Sequence, residues 1–279
     1  MKRKVKTKVK GFRTTDGAGV NLVRVLGNLT TKEFDPILML DSFDSINPDD
    51  YTAGFPMHPH RGIETISYVS RGKMVHRDSL GNEAGISDGE VQWMNSGSGI
   101  MHEEMVPAAE RLLGVQLWLN LPAKDKMSKP SYNSIKNEDI KEIETEGGKI
   151  RLLAGKYGEH EGYKGDYLPM DYYDIHLNAD AEVTLTMEED DSVMVFTLLG
   201  DVYIDGEHIE EKTAVKLTEG DSLTIKNGNE KAQVLYMNSR ALNEPVAWAG
   251  PIVMNTQEEL QKAFLELRSN TFIKETAEY

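Results

Sequence analysis

The chain of 279 residues contains no cysteine. This absence excludes disulfide bonds, thiolate nucleophiles, iron–sulfur clusters and cysteine zinc sites, so any metal must be bound by histidine and oxygen ligands. The chain also lacks an apolar run long enough to span a bilayer, and its basic start, MKRKVKTKVKGFR, is not followed by the apolar core of a signal peptide. We therefore expect a cytoplasmic location and no membrane partner.

Basic charge is scarce, since 31 Lys and Arg residues against 46 Asp and Glu residues give a formal net charge of -15. Binding along nucleic acid or to an anionic membrane requires an excess of basic surface. We therefore expect a small molecule or a protein as partner and no direct nucleic-acid contact. The lysines at positions 4 to 10 occupy every second residue. This spacing favours the exposed face of an edge strand, and a polyanion-binding patch is the alternative.

Short strands with turns between them account for most of the sequence, and long helical periodicity is scarce. Strands at this spacing predict antiparallel sandwiches or barrels. The polar segment LPAKDKMSKPSYNSIKNEDIKEIETEGG separates two strand-rich regions. We therefore predict two domains, residues 1–135 and 136–279.

One segment, NTQEELQKAFLELRSN, predicts a helix near the C-terminus. Thr256 and Glu259 have the spacing of a capping box. The apolar stripe expected of a packed helix is formed by Leu260, Ala263, Phe264 and Leu267. We interpret this helix as a packing element.

Two histidines stand two residues apart in GFPMHPHRGIE. In a strand, His58 and His60 point to the same face, and Pro59 points away. Two neighbouring imidazoles are costly to bury without a partner, whereas a cation accepts both ring nitrogens. This pair therefore favours a metal site over histidines that are merely packed in a core.

A third histidine follows in NSGSGIMHEEM. Strand alternation places Glu104 on the face of His102 and turns Glu103 away. Three imidazoles and one carboxylate would leave two positions of an octahedral metal open, as a catalytic metal requires.

The remaining histidines give weaker indications. His76 could lie near the metal, although a single strand histidine is more often packed or exposed. In the second half of the chain, His160, His176 and His208 form no same-face pair, so we expect no metal in that domain.

The stretch HPHRGIETISYVSRGKMVHRDSLGNEAG, followed by GEVQWMNSGSGIMHEEM and GVQLWLNLP, resembles the pirin family of the cupin superfamily. LNEPVAWAGPIVMNTQEELQKAF is similar to the family's C-terminal end. The resemblance implies an all-β bicupin of two antiparallel jelly-roll barrels with a short C-terminal helix. It places a single iron in the N-terminal barrel, and the family's ligand positions correspond here to His58, His60, His102 and Glu104.

A second glutamate complicates the ligand set. Many cupins use the glutamate of the first motif as a ligand, and strict alternation would put Glu64 on the face of His58 and His60. Gly62 could break that alternation, and the resemblance favours Glu104. We therefore expect Glu64 to orient a histidine or to bind the chain nearby, and Glu103 to be solvated or paired at the surface.

The resemblance also implies an activity. Pirins with an assigned activity are similar to quercetin 2,3-dioxygenases, which use O₂ to open the central ring of flavonols and release carbon monoxide. Glu104 would then accept the proton of the substrate hydroxyl. An apolar wall for an aromatic substrate could come from Phe55, Val91, Trp93 and Trp118, although core packing is the more usual role of such residues.

Two other functions remain open. Some pirins resemble regulatory proteins, so the chain could be an iron-dependent, non-catalytic protein that binds a transcription factor or a metabolic enzyme. Another cupin activity is the third alternative. Fe(II) is the expected metal, while Cu, Ni, Mn, Co and Zn can also occupy histidine sites.

Overall fold

The computed structural model describes residues 1–275, which form mainly β-strands. The strands of the first half are β1 (Val5–Val9), β2 (Phe12–Asp16), β3 (Val20–Leu26), β4 (Ile37–Ser45), β5 (Phe55–His60), β6 (Ile63–Arg71), β7 (Lys73–Asp78), β8 (Glu83–Ser87), β9 (Glu90–Asn95), β10 (Ile100–Met105), β11 (Leu112–Asn120) and β12 (Ser131–Ile135). Short 3-10 helices span Pro48–Asp50 and Ala123–Asp125.

The second half continues the all-β pattern and ends in one helix. Its strands are β13 (Lys141–Thr145), β14 (Gly148–Ala154), β15 (Lys156–Tyr157), β16 (His160–Glu161), β17 (Met170–Leu177), β18 (Glu182–Thr186), β19 (Ser192–Leu199), β20 (Val202–Ile204), β21 (Glu207–Ile209), β22 (Ala214–Leu217), β23 (Ser222–Asn227), β24 (Ala232–Ser239), β25 (Ala247–Ala249) and β26 (Ile252–Met254). The helix α1 covers Gln257–Arg268. The predicted all-β fold with a C-terminal helix is confirmed.

Two compact units divide the described residues, and each is discontinuous in sequence. The first, which we call the histidine unit, contains Phe12–Thr31, Ile37–Lys136 and the chain from Leu242 onward. The second unit contains Met1–Gly11, Lys32–Pro36 and Asn137–Ala241. The sequence division into residues 1–135 and 136–279 stays a prediction.

The histidine unit has a seven-stranded sheet in the order β12-β9-β6-β11-β4-β3-β2 and a four-stranded sheet in the order β5-β10-β7-β8. One buried apolar cluster contains Phe43 and Val69 of the larger sheet and Met74 and Ile86 of the smaller sheet. The two sheets therefore pack on each other through these side chains. Burying such apolar area contributes about 25 cal/mol per Å² and is the main force that holds a two-sheet domain together.

The second unit repeats this plan with sheets in the orders β1-β22-β19-β24-β17-β14-β13 and β18-β23-β20-β21. Its buried cluster joins Val195 and Val234 of the first sheet to Leu223 and Ile225 of the other. The strand β1 lies at the edge of the larger sheet, and its lysines at positions 6 and 8 are exposed. The predicted lysine-bearing edge strand is thus confirmed.

The helix α1 begins as the sequence predicts. Thr256 is the N-cap, its side chain accepts from the backbone N–H of Glu259, and the Glu259 carboxylate accepts from the N-cap backbone in return. Leu260 and Ala263 are buried in an apolar cluster with Ile252 of β26. The helix therefore packs on the C-terminal strands of the histidine unit. Among residues 1–275, no helix is both long and apolar enough to cross a membrane.

Candidate metal centre

Three imidazoles come together where β5 and β10 pair. His102 lies directly opposite His58 in this antiparallel ladder, and alternation puts His60 on the same face. His58 Nε2 is 3.1 Å from His60 Nε2, and one ring nitrogen from each of the three histidines lies within 4.8 Å of the others. The predicted same-face pair and its approach to His102 are both observed.

The other nitrogen of each ring is already engaged. Nδ1 of His58 lies 2.8 Å from the carbonyl of Pro56, and Nδ1 of His60 lies 2.9 Å from the carbonyl of Pro251. Carbonyl oxygens only accept, so each Nδ1 donates, which leaves Nε2 as the nitrogen that each ring can offer to a metal. Such second partners are typical of metal-binding histidines because they fix the tautomer that coordinates.

The Nε2 atom of His102 provides the test of whether a metal fits. It is buried and has no hydrogen-bond partner among the described residues. A buried nitrogen without a partner costs free energy unless something satisfies it. Three imidazoles that offer lone pairs to one point are the donor set of a divalent metal, so the site fits such an ion.

Burial keeps two of these imidazoles neutral. Desolvation, together with the neighbouring His58, lowers the pKa of His60 to about 3. Desolvation also lowers the pKa of His102 well below its usual value, and the other nearby histidines add to this shift. A metal therefore does not have to displace a proton from either ring at neutral pH.

The carboxylate of Glu104 is buried two residues beyond His102 on β10. Gln116 Nε2 donates to both carboxylate oxygens, at 3.1 and 2.9 Å, and Gln92 Nε2 and Ser67 Oγ donate to Oε1. The side chain is thus held in one orientation by donors from β9, β11 and β6. Its role as a metal ligand stays a prediction.

The two other glutamates lie elsewhere. Glu103 is partly exposed and forms an ion pair with Arg77 at 3.6 Å, in agreement with its expected surface position. Glu64 is buried on β6, in the other sheet, and accepts a hydrogen bond of 3.0 Å from Trp93 Nε1. Alternation from His60 fails to reach Glu64 because the chain turns between β5 and β6, where Gly62 has a φ of +78°. A Cβ on Gly62 would stand 1.9 Å from the carbonyl oxygen of Val253, so this turn requires glycine.

His76 does reach the site. Its side chain is fully buried on β7, and its Nδ1 lies 3.4 Å from His102 Nδ1. On the other side, its Nε2 is 2.8 Å from Asp78 Oδ2, and its ring stacks on Tyr132 with centroids 4.1 Å apart. Sequence reasoning could not decide this position, because it depends on how β7 pairs with β10.

The four apolar residues expected to form a wall for the substrate have different surroundings. Trp118 contacts the site, with its ring centroid 5.0 Å from that of His60 in an edge-on arrangement. Phe55 packs on Phe43 in the apolar cluster, and Trp93 is engaged with Glu64. Val91 is buried in β9. Trp118 therefore borders a ring of the histidine cluster.

Several residues around the site were missed by sequence reasoning. Gln92 and Gln116 hold Glu104, and the signal for them was a glutamine with apolar neighbours on both sides in the middle of a strand. The carbonyl of Pro251, which holds His60, comes from a segment almost two hundred positions away in the chain. Backbone carbonyls leave no mark in a sequence, so no pattern could have indicated it.

Comparisons with known proteins agree with this geometry. The family model described as Pirin matches residues 19–119, and the model described as Pirin C-terminal cupin domain matches residues 172–273. A protein of Pseudomonas aeruginosa, whose name describes it as a candidate quercetin 2,3-dioxygenase, is 39% identical over 92% of this chain and 94% of its own length. Both halves of the chain therefore have a cupin counterpart.

Solved structures extend the similarity. A crystal structure of quercetin 2,3-dioxygenase from Acinetobacter baumannii matches with a TM-score of 0.89 and 30% identity over 98% of this chain and 99% of that one. A bacterial pirin from Escherichia coli, crystallised in complex with nickel(II), shares the fold with a TM-score of 0.66 and 19% identity, over 84% of this chain and 98% of that one. The histidine cluster described above is of the kind that binds a divalent metal.

Proposed function

The chain belongs to the pirin family of the cupin superfamily, and on this premise we propose that it is a metal-dependent dioxygenase that opens the central ring of a flavonol such as quercetin. One observation carries the proposal: one ring nitrogen from each of His58, His60 and His102 lies within 4.8 Å of the others, with His60 and His102 buried, beside the anchored carboxylate of Glu104. The similarity to a solved quercetin 2,3-dioxygenase supports the choice of substrate class.

These four residues would hold the metal, for which Fe(II) is our proposal. A divalent metal in a site with open positions brings a chelating substrate and O₂ together and draws electron density from the substrate oxygen. His60 and His102 are almost completely buried, so they offer their nitrogens in surroundings from which water is largely excluded. Low local polarity strengthens such electrostatic effects.

Glu104 would accept the proton of the substrate hydroxyl. A base must hold its position relative to the proton that it removes, and Gln116, Gln92 and Ser67 restrain this carboxylate through hydrogen bonds. The indole ring of Trp118 beside His60 offers an apolar surface for the aromatic part of a flavonol. Each of these roles belongs to side chains that lie in the histidine unit.

The test is direct. Metal-free protein is loaded with Fe(II) without oxygen and mixed with quercetin, after which O₂ is admitted while the flavonol absorbance and carbon monoxide are measured. We expect loss of the absorbance with release of carbon monoxide, and no reaction with His102→Ala. If wild-type protein shows no turnover with Fe, Ni, Mn, Co or Cu, the flavonol assignment is wrong. Metal binding without turnover would then favour the regulatory alternative.

A further inference from the structure

A line of hydrogen-bonding groups leads away from the metal centre into the smaller sheet. Asp78 Oδ2 is 2.8 Å from His76 Nε2, and His76 Nδ1 is 3.4 Å from His102 Nδ1. His76, Asp78 and His102 each have fully buried side chains. In the ladder between β10 and β7, Asp78 stands directly opposite His102, so the sheet itself fixes this arrangement.

The protons along this line can be assigned by starting from the carboxylate of Asp78 at its end. A carboxylate only accepts hydrogen bonds, so His76 must donate from Nε2 to Asp78. A neutral imidazole carries one proton, which leaves His76 Nδ1 as an acceptor. His102 must then donate from its own Nδ1, and its Nε2 is left with a lone pair directed away from His76.

His102 differs in this respect from the other two histidines. Backbone carbonyls of Pro56 and Pro251, which can only accept, hold Nδ1 of His58 and His60. The partner of His102 is an imidazole, which can either donate or accept. Without Asp78, nothing in this line would decide which nitrogen of His102 carries the proton.

We propose that Asp78 and His76 are positioning residues that fix the tautomer and ring orientation of His102, so that its Nε2 is presented to the metal. The inference rests on the proposed function only in taking the cluster as a metal site. Asp78 is itself firmly held, because its Oδ1 accepts from the backbone N–H groups of Leu80 and Asn82. The stack of His76 on Tyr132 keeps the middle ring in place.

The substitution Asp78→Asn should reverse the direction of the hydrogen bonds along this line. The two backbone donors require an oxygen on the loop side, so the new amide would turn its NH₂ toward His76. His76 would then accept at Nε2 and donate from Nδ1, and His102 would carry its proton on Nε2, where a metal must displace it. The matched control is Asn82→Ala, which removes the other hydrogen bond to Asp78 Oδ2, donated by Asn82 Nδ2, and keeps the carboxylate as the acceptor for His76.

The tautomers are read in metal-free protein labelled with ¹⁵N-histidine, because the two imidazole nitrogens give different shifts when protonated and when bare. We expect His102 to be protonated at Nδ1 in the wild type and in Asn82→Ala, and at Nε2 in Asp78→Asn. A wild-type His102 protonated at Nε2, or a doubly protonated His76, overturns the proposal.

Zn(II) affinity, measured by chelator competition, gives the second readout and requires no catalysis. We expect Asp78→Asn to bind Zn(II) about 10- to 100-fold more weakly, the usual effect of losing an outer partner of a metal-binding histidine. If Asp78→Asn does not fold, His76→Phe retains the aromatic stack and removes the hydrogen bonds. Unchanged Zn(II) affinity in His76→Phe contradicts the proposal, whereas absent flavonol turnover with normal tautomers would contradict only the proposed function.

Discussion

At the scale of single residues, Glu104 and Glu103 show how much one strand position changes the role of a carboxylate. Glu104 is buried and held by two glutamine amides, whereas Glu103 faces Arg77 at the surface. Strand alternation is sufficient to separate the two, because both lie on β10 and no knowledge of neighbouring strands is needed.

This difference gives the first prediction. Glu104→Gln removes the charge of the proposed fourth ligand while it preserves the side chain's shape, so we expect a folded protein that retains much less metal after dialysis against a chelator. Glu103→Gln is the matched control and should retain the wild-type metal content. Metal content is measured by elemental analysis after Fe(II) or Zn(II) loading. Equal retention in both variants would show that three histidines suffice.

The neutral histidines make the metal-free protein sensitive to acid. The pKa of His60 is lowered to about 3 by burial, so below pH 6.5 the unfolded chain takes up a proton that the folded chain does not. The folded state therefore loses stability as the pH falls from 6.5 toward 3, by up to about 1.4 kcal/mol per pH unit. At pH 5 the loss amounts to about 2 kcal/mol.

Urea unfolding of metal-free protein at pH 7 and pH 5 measures this effect. His60→Asn should lower the difference in unfolding free energy between the two pH values, whatever its effect at either one. His208→Asn serves as control, since His208 is exposed beside Asp201. A pH dependence that is identical in wild type and His60→Asn would contradict the prediction.

At the scale of elements, the C-terminal segment supports the strand that carries the first two histidines. The backbone of Arg61 accepts from Val253 N–H at 3.1 Å, and its guanidinium donates to the carbonyls of Ser98 and Phe272 at 2.7 and 2.9 Å. The same guanidinium pairs with Glu266 of α1 at 2.8 Å. β5 is therefore fastened at its end to the segment that includes β26 and α1.

We expect Arg61→Leu to lower the free energy of unfolding by about 3 kcal/mol, because it leaves two buried carbonyls without this donor and removes one of the two cationic partners of Glu266, the other being Lys274. Arg77→Leu is the matched control, since Arg77 is exposed and its ion pairs with Glu83 and Glu103 lie at the surface. Chemical denaturation monitored by fluorescence measures both. An equal loss of unfolding free energy in the two variants would contradict the prediction that the buried Arg61 contributes more to stability than the exposed Arg77.

Elements could be predicted from the sequence where the deciding interactions are local. The capping box at Thr256 and the lysine-bearing strand β1 depend on spacings of a few residues, and both are observed. The contact between His76 and His102 depends on the pairing of β7 with β10, which hydrophobic periodicity does not specify. The same limit applies to the glutamines that hold Glu104 from two other strands.

At the scale of the whole molecule, the units are assembled from separated parts of the chain. The histidine unit takes its last part from Leu242 onward, and the second unit takes β1 from the start. A division at the polar connection follows from composition, but an exchange of terminal segments leaves no compositional trace. The unit that a terminal segment joins depends on which buried core its side chains complete.

This arrangement predicts which elements will be stabilised when a metal binds. A ligand that binds only the folded state stabilises it by about 2.7 kcal/mol at a hundredfold excess over Kd. We expect Zn(II) to slow amide hydrogen exchange in β5, β10, β26 and α1, although the last two are distant in sequence, because Pro251 and Arg61 connect them to the site. Mass spectrometry of proteolytic fragments measures the exchange. Protection confined to residues 55–105 would contradict this prediction.

The large separation in sequence between His60 and Pro251 also has a consequence for synthesis on the ribosome. His60 emerges from the ribosome well before Pro251, whose carbonyl orients its ring, and before the helix that holds the adjacent arginine. The strand β1 must likewise wait for β22 before it has a neighbour in its sheet. The nascent chain thus carries His60 through the synthesis of almost two hundred further residues before Pro251 can hold its ring beside the other two histidines of the cluster.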